Sequence, residues 1–155
     1  MATEIERKFL VEGDGWRTDE GVRICQGYLN RDKERTVRVR IAGEKAFVTI
    51  KGISSGATRA EFEYAIPVAD AEALLQMCDG PLIEKTRHIV ICAGTKWEVD
   101  EFYGANAGLV VAEVELETEE QTFERPEWLS AEVTEDVRYY NANLAVQPYD
   151  SWGEL

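Results

Sequence analysis

The sequence predicts a mainly β (α+β) fold: an eight-stranded antiparallel closed barrel with a few helices packed outside it and a C-terminal helix. Two observations carry that expectation. Charged residues recur at every second position in segment after segment, which is the period of a β-strand, whose successive side chains point to opposite faces. Eight short strand candidates are separated by turn-rich connectors, and an even number of short antiparallel strands with few helices favours closure into a barrel.

Five strands come first, at 3–11, 22–29, 35–42, 45–51 and 59–66. They are parted by turn sequences such as Glu12-Gly13-Asp14-Gly15, Ala42-Gly43-Glu44 and Gly52-Ile53-Ser54-Ser55-Gly56, and 35–51 reads as a hairpin. Pro67 then permits a helix start. Ala71, Leu74, Leu75 and Cys78 keep the spacing of a buried helical face until Asp79-Gly80-Pro81 ends it, so this helix is expected on the outer side of the sheet. Three more strands follow at 83–92, 95–103 and 109–118. The tail holds Trp128-Leu129, an N-cap candidate at Thr134, and a helical segment carrying Val137, Tyr140 and Leu144 toward Pro148. No repeat, low-complexity stretch or linker interrupts the chain, so 1–155 is expected to be a single domain.

Thirty acidic against 17 basic residues leave a formal net charge of −13, which repels nucleic acid and anionic membrane alike and removes both from the expected partners. A phosphate ligand must then be captured locally. A hydrophobic share of 45% with 10% aromatics excludes a disordered acidic tail. Cys25, Cys78 and Cys92 are odd in number, far apart and without zinc spacing, and read as reduced core thiols. The chain opens on charged residues with no apolar run and contains no stretch of about 20 apolar residues, so a cytoplasmic location is expected. A homodimer is left open.

The charge pattern carries the chemistry. In the last strand Ala112, Val114 and Leu116 share one face and Glu113, Glu115 and Glu117 the other. Taken alone, that is an ordinary solvated face. Taken together, six strands each offer a packed face and a charged face. The charged faces gather Glu4, Glu6, Glu61, Glu63, Glu98, Asp100, Glu113 and Glu115 with Lys8, Arg38, Arg40, Lys51, Arg59, Lys85 and Arg87. This set is nearly balanced although the chain is strongly acidic, which solubility does not explain. Turned inward, so many charges would be very costly without ligands and ions to pair them. Carboxylate pairs on the first and last strands suit a hard cation, Mg²⁺ or Mn²⁺, with room for two ions. A row of arginines and lysines suits a chain of phosphates better than a single carboxylate.

The segments Glu4-x-Glu6-x-Lys8, Val37-Arg38-Val39-Arg40, Thr49-Ile50-Lys51-Gly52, Arg59-x-Glu61-x-Glu63, Glu84-Lys85-Thr86-Arg87, Trp97-Glu98-Val99-Asp100 and Ala112-Glu113-Val114-Glu115 resemble the CYTH domain, or triphosphate tunnel metalloenzymes. Glu132-Val133-Thr134 and Tyr139-Tyr140-Asn141 resemble the tail of the short bacterial members. The resemblance implies an eight-stranded tunnel that binds a triphosphate and divalent metal and cleaves the terminal phosphoanhydride. It assigns Lys8, Arg38, Arg40, Lys51, Arg59, Lys85 and Arg87 to phosphate. Glu4, Glu6, Glu113 and Glu115 become the principal metal ligands, with Asp100, Glu61 and Glu63 as further acids.

The expected activity is a metal-dependent triphosphatase on a small triphosphate, inorganic tripolyphosphate favoured. The alternatives are an adenylyl cyclase of the same family, making cyclic AMP from ATP, and a noncatalytic polyphosphate-binding module. Lys85, its pKa depressed by like charge, is the candidate proton acceptor, with Tyr28 as its hydrogen-bond partner; the rival reading makes Tyr28 a packed aromatic and Lys85 a plain phosphate ligand. His88 and Trp97 are expected to face away from the tunnel. Trp16, Trp128 and Trp152 are read as packing residues, with closing an end of the tunnel as the alternative, and Tyr140 and Asn141 as capping or packing residues of the tail helix. The uncharged stretch 52–58 reads as a loop at a tunnel mouth.

Overall fold

The computed structural model describes residues 3–152. Eight antiparallel strands form the barrel: β1 (Thr3–Val11), β2 (Val22–Asn30), β3 (Arg35–Ala42), β4 (Lys45–Gly52), β5 (Thr58–Ile66), β6 (Asp79–Cys92), β7 (Thr95–Phe102) and β8 (Val110–Glu115). They run in the order β5-β4-β3-β2-β6-β7-β8-β1, and β1 pairs back on β5 to close the sheet. Among the described residues closure rests on three residue pairs, Thr3↔Ala60, Glu4↔Arg59 and Ile5↔Thr58. The rest of that edge of β1 is taken by a ninth strand, β9 (Leu129–Glu132), through Phe9↔Glu132 and Val11↔Leu129. Sequence reading misses β9, because four residues are too few to show alternation.

The barrel is inverted, with its apolar side facing out. Phe9, Trp97, Val99, Ala112 and Val114 form an outer core covered by Trp16, Trp128 and Leu129. On the opposite side helix α1 (Val68–Leu75) lays Ala71 and Leu75 over Val39 and Ala46. His88 belongs to this outer layer, as expected: it is buried, its Nδ1 lies 3.1 Å from the Thr18 amide and 2.9 Å from the Thr18 hydroxyl, and its ring stands edge-on to Trp16. The three cysteines are free and half-buried.

Three boundaries differ from the sequence reading. The helix ends at Leu75, before Cys78, and β6 starts at Asp79, so Gly80 and Pro81 belong to a strand. Pro81 has no N–H to give a ladder, and it falls where the β2–β6 register shifts between Gln26↔Ile83 and Tyr28↔Asp79. The last barrel strand stops at Glu115. The tail is not one helix: Val137–Tyr139 is a 3₁₀ turn, helix α2 is only Asn141–Leu144, and Tyr149–Ser151 is a second 3₁₀ turn. Asp136, not Thr134, accepts from the backbone N–H that opens the first turn; the Thr134 hydroxyl instead accepts from the Lys8 backbone N–H at 3.0 Å.

Along the barrel axis the inward face changes character. Near the tail Tyr28, Ile83, Phe102 and Val111 pack with Leu109 and Leu144 into an apolar floor. Beyond it the same strands place Lys85, Arg87, Asp100 and Glu113. The period of two thus sorts the faces, and position along each strand sorts apolar from charged.

Candidate active site

Two adjoining cavities run through the barrel. The inner one, about 210 Å³, is lined by charged side chains and Asn141. The outer one, about 540 Å³, opens between the 53–56 loop and the tail and adds Tyr28, Arg31, Lys33 and Tyr140. Glu6, Lys8, Arg38, Lys51 and Asn141 line both. All the charged residues predicted to face inward line one cavity or the other except Lys85 and Asp100, which are completely buried beside them.

Strands β2, β3 and β6 with β7 build a basic wall. Lys85, with 0% of its side chain exposed, lies 2.7 Å from Asp100 Oδ2, and Arg87 grips the same carboxylate with Nε at 2.8 Å and a terminal nitrogen at 2.9 Å. The register explains the grouping, since β6 and β7 set Arg87 opposite Asp100. Both oxygens of Asp100 are therefore spent on cations, and Arg87 with Lys85 hold its pKa below the usual carboxylate range against the opposing effect of burial. Asp100 thus acts as a counter-charge that fixes two bases. Arg40 donates through Nε to Gln26 Oε1 at 2.8 Å, and Arg38 donates to Thr49 at 3.2 Å.

Burial, reinforced by Arg40 and Arg87 and opposed by Asp100, pushes the Lys85 ammonium down to about 7. The sequence reading anticipated the direction but named like charge as the cause; desolvation is the larger effect. It also paired Lys85 with Tyr28. In the structure the ammonium donates instead to Asn141 Oδ1 at 3.1 Å and meets Asp100, while the Tyr28 ring packs in the apolar floor. The register separates them: Ile24 sits opposite Lys85, and Tyr28 opposite Asp79.

The acidic wall lies on β1, β8 and β5. Glu6 faces Glu115 and Lys8 faces Glu113 across the β1–β8 ladder. Lys8 Nζ bridges Glu6 and Glu113 at 3.0 Å each, and Lys51 Nζ lies 2.7 Å from Glu4 and 3.6 Å from Glu61. Burial opposes ionisation of Glu6, but Lys8 and Lys51 outweigh it and hold that carboxyl at about 2. Glu4 and Glu115 move the other way. Burial raises both; Lys51 offsets it only in part at Glu4, and Glu4, Glu6 and Glu98 add to it at Glu115. Glu63 accepts from Thr49 at 2.9 Å, and Arg59 donates to the Gly52 carbonyl at 3.1 Å at the mouth.

The acids fit a divalent cation in chemistry, being hard oxygen donors whose own repulsion is not fully compensated. Among the described residues no three carboxylate, histidine or cysteine side chains are gathered at ligand spacing; Lys8 stands between Glu6 and Glu113, and Lys51 between Glu4 and Glu61. Sequence reading also missed two neutral residues. Gln26 is fully buried on the inward parity of β2, a polar residue between Ile24 and Tyr28 that its parity alone could have flagged. Asn141 enters from the tail, where no periodicity announces it.

A closed antiparallel tunnel lined by facing rows of bases and acids has the chemistry to take a polyanion together with a divalent cation. The chain belongs to the CYTH domain family, whose model matches residues 2–149. It is 47% identical over 156 residues to an inorganic triphosphatase of Acetivibrio thermocellus, covering 99% of this chain and 100% of that protein. It is 38% identical to an inorganic triphosphatase of Nitrosomonas europaea, over 93% of this chain and 97% of that one. A solved structure of an inorganic triphosphatase superposes with a TM-score of 0.66 at 36% identity, covering 92% of this chain and 97% of its own. No helix among the described residues is long and apolar enough to cross a membrane.

Proposed function

We propose that the chain is a divalent-metal-dependent triphosphatase that hydrolyses the terminal phosphoanhydride of a small triphosphate, with inorganic tripolyphosphate as the favoured substrate. The observation that carries this reading is the pairing of a buried, fixed basic wall with an incompletely neutralised acidic wall across one narrow cavity. Full-length relatives named for the same activity support it. Triphosphate oxygens would be held by the cavity-lining cations Arg38, Arg40, Lys51, Arg59 and Arg87, the guanidiniums through N–H groups not already given to Gln26, Gly52 and Asp100. As phosphate draws Lys8 and Lys51 away from Glu6, Glu113 and Glu4, those carboxylates, with Glu115, become free to hold Mg²⁺ or Mn²⁺. The bound ion would supply charge neutralisation on the transferring phosphoryl group.

Phosphoryl transfer needs positioning and charge stabilisation more than covalent chemistry. Arg87 and Arg40 are positioned for that without reorganisation, since Asp100 and Gln26 already hold them. Lys85 lines neither cavity; with its pKa near neutrality, its deprotonated form would accept the proton of the attacking water only where that water reaches it beside Asn141. Asp100 keeps Lys85 in place, and Glu61 and Glu63 position Lys51 and Arg38 from β5.

The wide outer cavity with Tyr140 on its lining favours a second substrate class, nucleoside triphosphates, whose base would stack on that ring. Phosphate release from tripolyphosphate, ATP and thiamine triphosphate at one Mg²⁺ concentration, with product analysis for ATP, ranks the substrates. ADP plus phosphate is expected from ATP. Cyclic AMP plus pyrophosphate would assign a cyclase instead, and tight binding with no product from any of the three would assign a binding module.

A further inference from the structure

The tail places Asn141 inside the barrel, and its surroundings decide which end of its amide faces the cavity. Shape does not distinguish the oxygen from the nitrogen of an amide; neighbouring donors and acceptors do. Arg40 has only donors to offer, and its Nε lies 2.8 Å from Gln26 Oε1. Gln26 must therefore turn its nitrogen the other way, where Nε2 lies 2.9 Å from Asn141 Oδ1. The Lys85 ammonium reaches the same oxygen at 3.1 Å. Two donors on one atom hold Asn141 with its carbonyl toward β2 and β6. Its Nδ2 has no hydrogen-bond partner among the described residues, and the residue lines both cavities.

We propose that Gln26 and Asn141 form an orientation lock through which Arg40 fixes Asn141 with its Nδ2 presented to a phosphate oxygen of the bound triphosphate. Asn141 is then a binding residue, and Gln26 a positioning residue that acts through it. The inference rests on the triphosphate reading and adds a neutral, directional donor to a row otherwise made of charges. Gln26 is fully buried, 0% exposed, so no bulk water replaces its contacts when they are lost.

The test compares wild type, Asn141→Ala, Asn141→Asp and Gln26→Glu as full-length proteins. Affinity for tripolyphosphate is measured without metal by amide NMR titration, and kcat and KM with Mg²⁺. Asn141→Ala removes one donor to a charged ligand, and about a tenfold loss of affinity is expected. Asn141→Asp keeps an oxygen for Lys85 and Gln26 but sets an anion against the phosphate, so its loss exceeds that of Asn141→Ala. Gln26→Glu keeps the acceptor for Arg40 and loses the donor to Asn141. The amide then turns, and KM rises about as far as in Asn141→Ala while kcat changes less. The side-chain amide signals of Asn141, assigned by their absence in Asn141→Asp, shift on adding tripolyphosphate to wild type and do not in Gln26→Glu. Unchanged affinity in both Asn141→Asp and Gln26→Glu overturns the lock, as does an Asn141 amide that ignores tripolyphosphate in wild type. Should Gln26→Glu fail to fold, the Asn141 pair decides alone. A wild type that binds without hydrolysis overturns the triphosphatase reading and leaves the lock to be judged on these affinities.

Discussion

The two walls of the tunnel come from the same alternating strand pattern yet are neutralised to opposite extents. On the basic wall Asp100 spends both oxygens on Lys85 and Arg87 at 2.7 to 2.9 Å, and Gln26 fixes Arg40. On the acidic wall two lysines serve Glu4, Glu6, Glu61 and Glu113, and among the described residues Glu115 has no ion-pair partner. The difference assigns each wall a state. The basic wall is organised in advance for its anion, whereas the acidic wall carries charge that a cation would complete.

The largest effect is expected from removing the keystone of the basic wall. Asp100→Ala leaves Lys85 buried without its counter-charge and Arg87 with Glu98 alone, at 3.2 Å, and loss of one partner of a buried pair costs about 3–5 kcal/mol. Urea denaturation should record that loss together with loss of turnover; a variant as stable as wild type would mean that the wall is not held by Asp100. Lys85→Ala comes next. As proton acceptor, Lys85 should contribute about 10²–10⁴ in kcat with a smaller change in KM. Weakened binding with turnover intact would leave it a phosphate ligand only.

Glu115→Gln probes the other wall. It removes one metal oxygen and relieves repulsion among Glu4, Glu6 and Glu98, so calorimetry should show Mn²⁺ affinity reduced by about 10–100-fold with the metal-free fold intact. Unchanged affinity would remove Glu115 from the metal ligands. The smallest effect is on pH-dependent stability of the metal-free protein. Glu4 and Glu115 have raised pKa values, so the folded chain takes up protons before the unfolded chain does and is stabilised as pH falls. Glu6, Glu113 and Asp100 have lowered values; their stabilisation is present above the unfolded carboxylate range and is lost as pH falls through it. The unfolding midpoint should therefore rise slightly as pH falls toward the ordinary carboxylate range from above, then fall in stronger acid. Saturating Mg²⁺ should abolish the rise, and a rise that persists with Mg²⁺ would detach it from the metal site.

How much of this was legible follows from the range of the interactions. Strand parity is local, so the inward placement of Arg38, Arg40, Glu113 and Glu115 could be read from their alternation with Val37, Val39, Ala112 and Val114. Partner choice is not local. Parity made Tyr28 and Lys85 both inward residues, but four residues of β2, six of β6 and a bulge separate them. Asn141 takes the place that Tyr28 was expected to fill, across 56 positions of sequence from Lys85; Tyr139-Tyr140-Asn141 resembles the family's tail, but an amide in an irregular segment lies on no alternating face that would show it pointing inward. The tail helix failed for a related reason: Thr134 has the chemistry of a cap, yet the backbone of Lys8 competes for its hydroxyl.

The most direct test of the two-wall account is phosphate release from tripolyphosphate by metal-stripped protein as Mg²⁺ or Mn²⁺ is titrated in, beside Glu6→Gln and Glu113→Gln. The account predicts no release without metal, saturable activation in wild type, and activation lost or shifted to much higher metal concentration in both variants. Release without metal, or variants that saturate like wild type, would contradict it.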